Sequence, residues 1–213
     1  MGLFLYALDA DTGDVIWTNT GDGARWTSQQ HEGAYAFATV APQGYTTATA
    51  NTLLVSGGRT VPAAFDRATG QFLYFDVEDR TWDKDQGGYA VAAIGDWFVS
   101  GPGHRATDRP GMYRISNGSA YLRMNASVLT DRVVYDVRSG DLRALDISGS
   151  NPTLDEKWRL DSSVSLTAVF CKAGSRLYAG RNGRVVAIED LGASGVERWV
   201  KTIVGTPTTM LAA

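Results

Sequence analysis

Along most of this chain apolar and polar positions alternate in short runs, separated by glycine-bearing polar turns and without sustained helical spacing. Leu5-Tyr6-Ala7-Leu8-Asp9-Ala10-Asp11-Thr12-Gly13-Asp14-Val15-Ile16-Trp17 reads as a strand, a turn and a second strand. Pro62-Ala63-Ala64-Phe65-Asp66-Arg67-Ala68-Thr69-Gly70-Gln71-Phe72-Leu73-Tyr74 repeats it position for position. Leu142-Arg143-Ala144-Leu145-Asp146 repeats the first half, and Glu156-Lys157-Trp158 closes it after a longer turn. Val185-Val186-Ala187-Ile188-Glu189-Asp190 does the same and closes on Glu197-Arg198-Trp199.

Each position in the repeat has a physical use. The alternation makes a half-buried strand, and the acid at Asp9, Asp66, Asp146 or Glu189 can accept the N–H groups of its own turn. Gly13 and Gly70 suit a turn position at positive φ. The closing aromatic at Trp17, Tyr74, Trp158 or Trp199 is sized to fill the space between neighbouring sheets.

Further strands precede the later units, at residues 44–50 and 51–58, 132–140, 165–172 and 176–183. A complete unit thus has about four strands, as a propeller blade does. Ala144 and Ala187 are 43 residues apart, a blade-like period. Between Ala64 and Ala144 lie 80 residues, room for one extra degenerate blade with strands at 89–94, 97–100, 112–115 and 120–124. The expected fold is all-β, a single β-propeller domain over residues 1–213 with four-stranded antiparallel blades. Blades near 42–78, 87–124, 126–160 and 165–201, plus one shared by both termini, make five. In that shared blade residues 206–213 join residues 3–18, with the second strand missing. The rival arrangements are a fragment of a larger propeller and a ring completed by dimerisation.

The motif Leu-Tyr-Ala-Leu-Asp-x-x-Thr-Gly-x-x-x-Trp at residues 5–17 resembles the repeat of the bacterial pyrroloquinoline-quinone-like β-propellers. Ala41-Pro42-Gln43-Gly44 and Val61-Pro62-Ala63-Ala64-Phe65-Asp66 also resemble segments of such proteins. The family includes quinoprotein alcohol dehydrogenases and the propeller lipoprotein of outer-membrane protein assembly, which implies a periplasmic or envelope location. The family's dehydrogenases hold their quinone with a metal site and a vicinal cysteine pair. This chain has 1 cysteine, Cys171, so the resemblance extends to the blades and not to that site. No cofactor is expected.

Composition narrows the function classes. The formal net charge is −3 with the basic residues scattered singly, which argues against the Lys/Arg stripe of a nucleic-acid binder. No apolar run reaches the ~20 residues of a spanning helix. Residues 1–6 lack a basic region and a cleavage site, so no signal peptide is read there; Met1-Gly2 reads as a start added to a chain excised from something longer. The single cysteine leaves the compartment open.

The candidate chemistry is sparse. The longest non-repeat segment, residues 19–41, carries Arg25, Trp26, His31 and Tyr35, with Gln43 and Arg59 close beyond it. An aromatic and polar loop on a rigid scaffold can bind a sugar, a peptide or a planar ring, or it can simply add outer strands. His104 and Arg105 sit in a glycine-rich loop at 101–111 and can meet an anion, or stand in solvent. With only 2 histidines, His31 and His104, no metal centre is expected. No nucleophile elbow is present, and the paired acids Asp9/Asp11 and Asp83/Asp85 fall in turns and loops, so no catalytic residue is named. The expected function is a non-catalytic binding or scaffold propeller for a protein, peptide or glycan, as monomer or dimer. The alternatives are an enzyme, either a quinoprotein-like oxidoreductase fragment or a carbohydrate-active propeller, and a reading frame with no independent function.

Overall fold

The computed structural model describes residues 4–21, 25–28, 35–38, 40, 42, 44–57, 61–76, 90–100, 111–124, 126–149 and 151–207. Among these there is no helix, and the strands form antiparallel sheets of the blade type. The chain divides into two compact units, Met1–Arg123 and Met124–Ala213.

The first unit opens with a hairpin of β1 (Leu5–Leu8) and β2 (Val15–Asn19), followed by a second hairpin of β3 (Arg25–Ser28) and β4 (Tyr35–Ala38). A four-stranded blade follows: β5 (Thr46–Ala48), β6 (Thr52–Val55), β7 (Val61–Asp66) and β8 (Phe72–Asp76). The next blade is β9 (Val91–Ile94), β10 (Trp97–Ser100), β11 (Gly111–Arg114) and β12 (Ala120–Arg123). In the second unit the blades are β13 (Ala126–Leu129), β14 (Val133–Arg138), β15 (Asp141–Asp146), β16 (Glu156–Leu160), and β17 (Ala168–Ala173), β18 (Arg176–Arg181), β19 (Arg184–Asp190), β20 (Gly195–Thr202). Four full blades and the β1–β2 hairpin match the five expected sheets. The β3–β4 hairpin is an addition that the alternation at 19–41 did not single out. Of the strand expected at residues 206–213, residues 206 and 207 are described and lie in no strand, and 208–213 fall outside the described residues.

Period-2 alternation divides each inner strand between two cores. From β6 and β7, Leu54 and Ala64 join Val91, Phe98 and Tyr113 of the following blade. Their neighbours Val55, Ala63 and Phe65 meet Val40, with Leu5 of the first hairpin at the margin. Being buried on both faces explains why β7 reads as an almost unbroken apolar run. Pro62 is tolerated in that run because the β6 pairing ends at Ala63 and the β8 pairing is irregular between Val61 and Ala64, so no ladder bond needs its missing N–H. In the second unit Tyr135, Val137, Leu142, Ala144 and Trp158 close against Val169, Leu177, Ala179, Val186 and Ile188.

Candidate functional site

Three turns between a blade's third and fourth strands share one hydrogen-bond pattern. Gly13, Gly70 and Gly118 each donate N–H to the carbonyl of the residue four back, at 2.9, 2.8 and 2.9 Å. Their φ angles are +77°, +73° and +71°, a conformation glycine adopts without Cβ strain. Asp9 Oδ1 accepts from Thr12 N at 2.8 Å and Asp11 N at 3.0 Å, and Asp66 Oδ1 from Thr69 N at 2.8 Å and Ala68 N at 3.0 Å. These bonds hold both carboxyls below the usual carboxylate range, chiefly through Thr12 N–H at Asp9 and the Thr69 hydroxyl at Asp66. Asp146 is lowered likewise by Ser148, first through its hydroxyl and then through its N–H, which donates at 2.7 Å. The Asp9 carboxylate is therefore turn machinery, and Asp11 joins that turn through its backbone N–H.

The closing aromatic always stands opposite an alanine: Trp17 against Ala7, Tyr74 against Ala64, Trp158 against Ala144 and Trp199 against Ala187. A bulge follows that alanine in all four pairs. Three of the rings lock onto the turn of another sheet. Trp17 Nε1 donates to the Arg67 carbonyl at 2.9 Å, and Tyr74 Oη to the Ile115 carbonyl at 2.8 Å. Trp158 Nε1 donates to Asp190 Oδ1 at 3.1 Å. Burial drives the Tyr74 hydroxyl above its ordinary range, as it does for Tyr135, whose hydroxyl also donates to Asp190.

Asp190 was not singled out by the repeat. Alternation aligns Glu189 with Asp9 and Asp66, yet Glu189 pairs with Arg198 at 2.5 Å. Its neighbour Asp190 takes the turn N–H of Gly192 at 2.9 Å as well as the Trp158 and Tyr135 donors. Strand β19 runs one residue past Glu189, to Asp190, before the 191–194 turn, which shifts the acceptor by one residue.

Of the expected ligand-binding residues, Arg25 and Trp26 lie on β3 and Tyr35 on β4. Trp26 stands opposite Phe37 and Ser28 opposite Tyr35, so Trp26, Tyr35 and Phe37 share one face. They are 61%, 53% and 72% exposed, and the Trp26 and Phe37 rings meet edge to face at 5.1 Å between centroids. Phe37 was missed, although its spacing in Tyr35-Ala36-Phe37-Ala38 carries the signal. His31, Gln43, Arg59, His104, Arg105 and the acids Asp83 and Asp85 lie outside the described residues.

Cys171, the chain's single cysteine, cannot make a vicinal pair, and partial burial on β17 pushes its thiol up. Among the described residues no group of three or more His, Cys, Asp or Glu is placed to hold a metal ion, and no helix is long and apolar enough to cross a membrane.

No protein-family model matches the chain, and no curated protein matches it by sequence. Solved structures do. BamB from Moraxella catarrhalis, a β-propeller, is similar over 99% of this chain and 73% of its own, with a TM-score of 0.52 and 15% identity. The computationally designed Ika8 protein is similar over 95% of this chain and 57% of its own, with a TM-score of 0.59 and 14% identity. At these identities the likeness is one of fold: the chain has the β-propeller fold.

Proposed function

We propose that the chain is a non-catalytic, protein-binding scaffold whose blades hold the β3–β4 hairpin as the recognition element. The observation that carries this reading is the exposed face of Trp26, Tyr35 and Phe37. Large apolar rings are costly to leave in water, and three on one hairpin face form the kind of patch that marks an interaction surface. Trp and Tyr contribute large contact area at low entropic cost and keep a polar tip for orientation. The repeat acids Asp9, Asp66 and Asp146 are committed to their own turns and Glu189 to Arg198, which supports binding over acid–base chemistry. The reading includes no quinone. It also includes the envelope location that the repeat resemblance implies, which fractionation of the native host's cells tests.

Screening peptide and glycan arrays with the wild type, Trp26→Ala and Phe37→Ala tests the site and the ligand class together. Peptide binding weakened by roughly tenfold or more in both variants, with unchanged melting, is the expected result. Binding only to glycans would replace the protein partner with a sugar. Binding that survives both changes would remove the hairpin as the site. Saturable micromolar binding of pyrroloquinoline quinone with calcium, read by absorbance, would overturn the cofactor-free reading.

A further inference from the structure

An asparagine followed by glycine is open to attack from its own backbone, because glycine has no Cβ to shield the nitrogen that follows the amide. The chain holds two such pairs, Asn117-Gly118 and Asn182-Gly183. Both asparagines are exposed, and both glycines sit at positive φ, +71° and +74°. Their surroundings differ.

At Asn117 both reacting groups are tied within the turn. Asn117 Oδ1 accepts from Ser119 N at 3.0 Å, which turns the side-chain carbonyl past Gly118. Gly118 N donates to the Arg114 carbonyl at 2.9 Å. Gly118 is also buried, with the Tyr74 ring 2.7 Å from where a Cβ would stand. Closing the Gly118 nitrogen onto the Asn117 amide would break both bonds in a place packed too tightly to rearrange.

Asn182 and Gly183 form the turn between β18 and β19, flanked by Arg181 and Arg184, which stand directly opposite each other. Among the described residues a Cβ on Gly183 would meet only the Ile203 carbonyl, at 3.9 Å. Gly183 N donates to the Gly205 carbonyl at 2.8 Å, in a neighbouring segment and not in its own turn. Asn182 Oδ1 accepts from the Thr206 hydroxyl at 3.1 Å. That donor polarises the carbonyl, and its bond strengthens as negative charge grows on the oxygen. Arg181 and Arg184 are exposed like charges opposed in a ladder, an arrangement that repels. Their field favours loss of the Gly183 amide proton, and a carboxylate at position 182 would relieve the repulsion.

We infer that Asn182 is a site of spontaneous covalent modification, converting to aspartate and isoaspartate in the folded protein while Asn117 is preserved. Gly183 N loses its proton to solvent and forms a bond to Asn182 Cγ. The Cγ–Nδ2 bond breaks, Nδ2 takes up a proton and ammonia leaves, which closes a succinimide. Water then opens the ring. Breaking the new N–Cγ bond restores the backbone with an aspartate, and breaking the original peptide bond routes the chain through Cγ as isoaspartate. Either product adds a carboxylate between the two arginines. While the succinimide stands, Gly183 has no N–H and its bond to Gly205 is lost.

Holding the folded full chain in mildly alkaline buffer and mapping its proteolytic peptides by mass spectrometry over time tests the inference. Position 182 exchanges its amide for a carboxyl, with matching release of ammonia, at least roughly tenfold faster than position 117 in the same sample. Isoaspartate at 182 is read by enzymatic methylation of its new carboxyl. Arg181→Gln combined with Arg184→Gln slows position 182 severalfold and leaves position 117 unchanged, and Thr206→Val slows position 182 as well. In urea the advantage of position 182 disappears, because only the folded turns distinguish the two. Equal rates in the folded chain, a faster position 117, or a preference that persists in urea overturns the inference, the last because sequence alone would then carry it. So does a rate at position 182 that both sets of variants leave unchanged.

Discussion

Gly70 and Gly13 occupy the same place in the same kind of turn, and they differ in what faces them. At Gly70 a Cβ meets both an unfavourable φ of +73° and the Trp17 ring at 2.3 Å; at Gly13, among the described residues, it meets only the φ of +77°. Gly70→Ala is therefore expected to lose about 2–4 kcal/mol, from strained backbone plus a displaced ring. Gly13→Ala should lose only about 1 kcal/mol. Urea unfolding of the two variants measures the difference; equal losses would mean that the ring contact contributes nothing. Both glycines were legible in the sequence as turn residues. The ring on Gly70 was not, because Trp17 lies 53 residues away and only the packing of two sheets brings them together.

At the scale of the element, β14 and β15 carry a charge inside a blade. Asp136 is 2% exposed and forms an ion pair with Arg143 on the neighbouring strand, to which it is directly opposite. Removing one partner leaves the other charge poorly solvated, so Asp136→Ala should destabilise the protein by about 3 kcal/mol, checked by chemical denaturation. Replacing both by apolar residues of similar volume should recover most of that loss. Alternation alone gives no sign of this pair: Val133-Val134-Tyr135-Asp136-Val137 places a polar residue where a half-exposed strand would turn to water. The blade buries that face as well, and burial turns a surface residue into a structural one.

Across the whole molecule the turn acids act together. Asp9, Asp66 and Asp146 have carboxyls held below their unfolded range by hydrogen bonds made only in the folded turns. A depressed carboxylate contributes stability that is present above the unfolded value, about 4, and is lost as pH falls through the folded value. Stability should thus fall as pH drops below about 4, and Asp66→Asn should flatten that fall. Melting temperature followed across this window checks it; an unchanged acid slope in the variant would show that the Asp66 turn is not part of the titration. The same scale exposes the difference between the blades and the β3–β4 hairpin. Trp17, Tyr74 and Trp158 are held in locks, and the hairpin presents Trp26 and Phe37 to water.

The sequence by itself determined the all-β class, the blade period, and the turn glycines and acids, because each follows from local alternation and turn chemistry. It also marked Trp26 and Tyr35 as candidates. Only the tertiary structure decided that Asp190 replaces Glu189 as the turn acceptor, that Phe37 joins Trp26 on one face, and which aromatic rings are seated. Those outcomes depend on register and on the approach of strands distant in the chain, and extending a strand by one residue is enough to move a side chain from one partner to another.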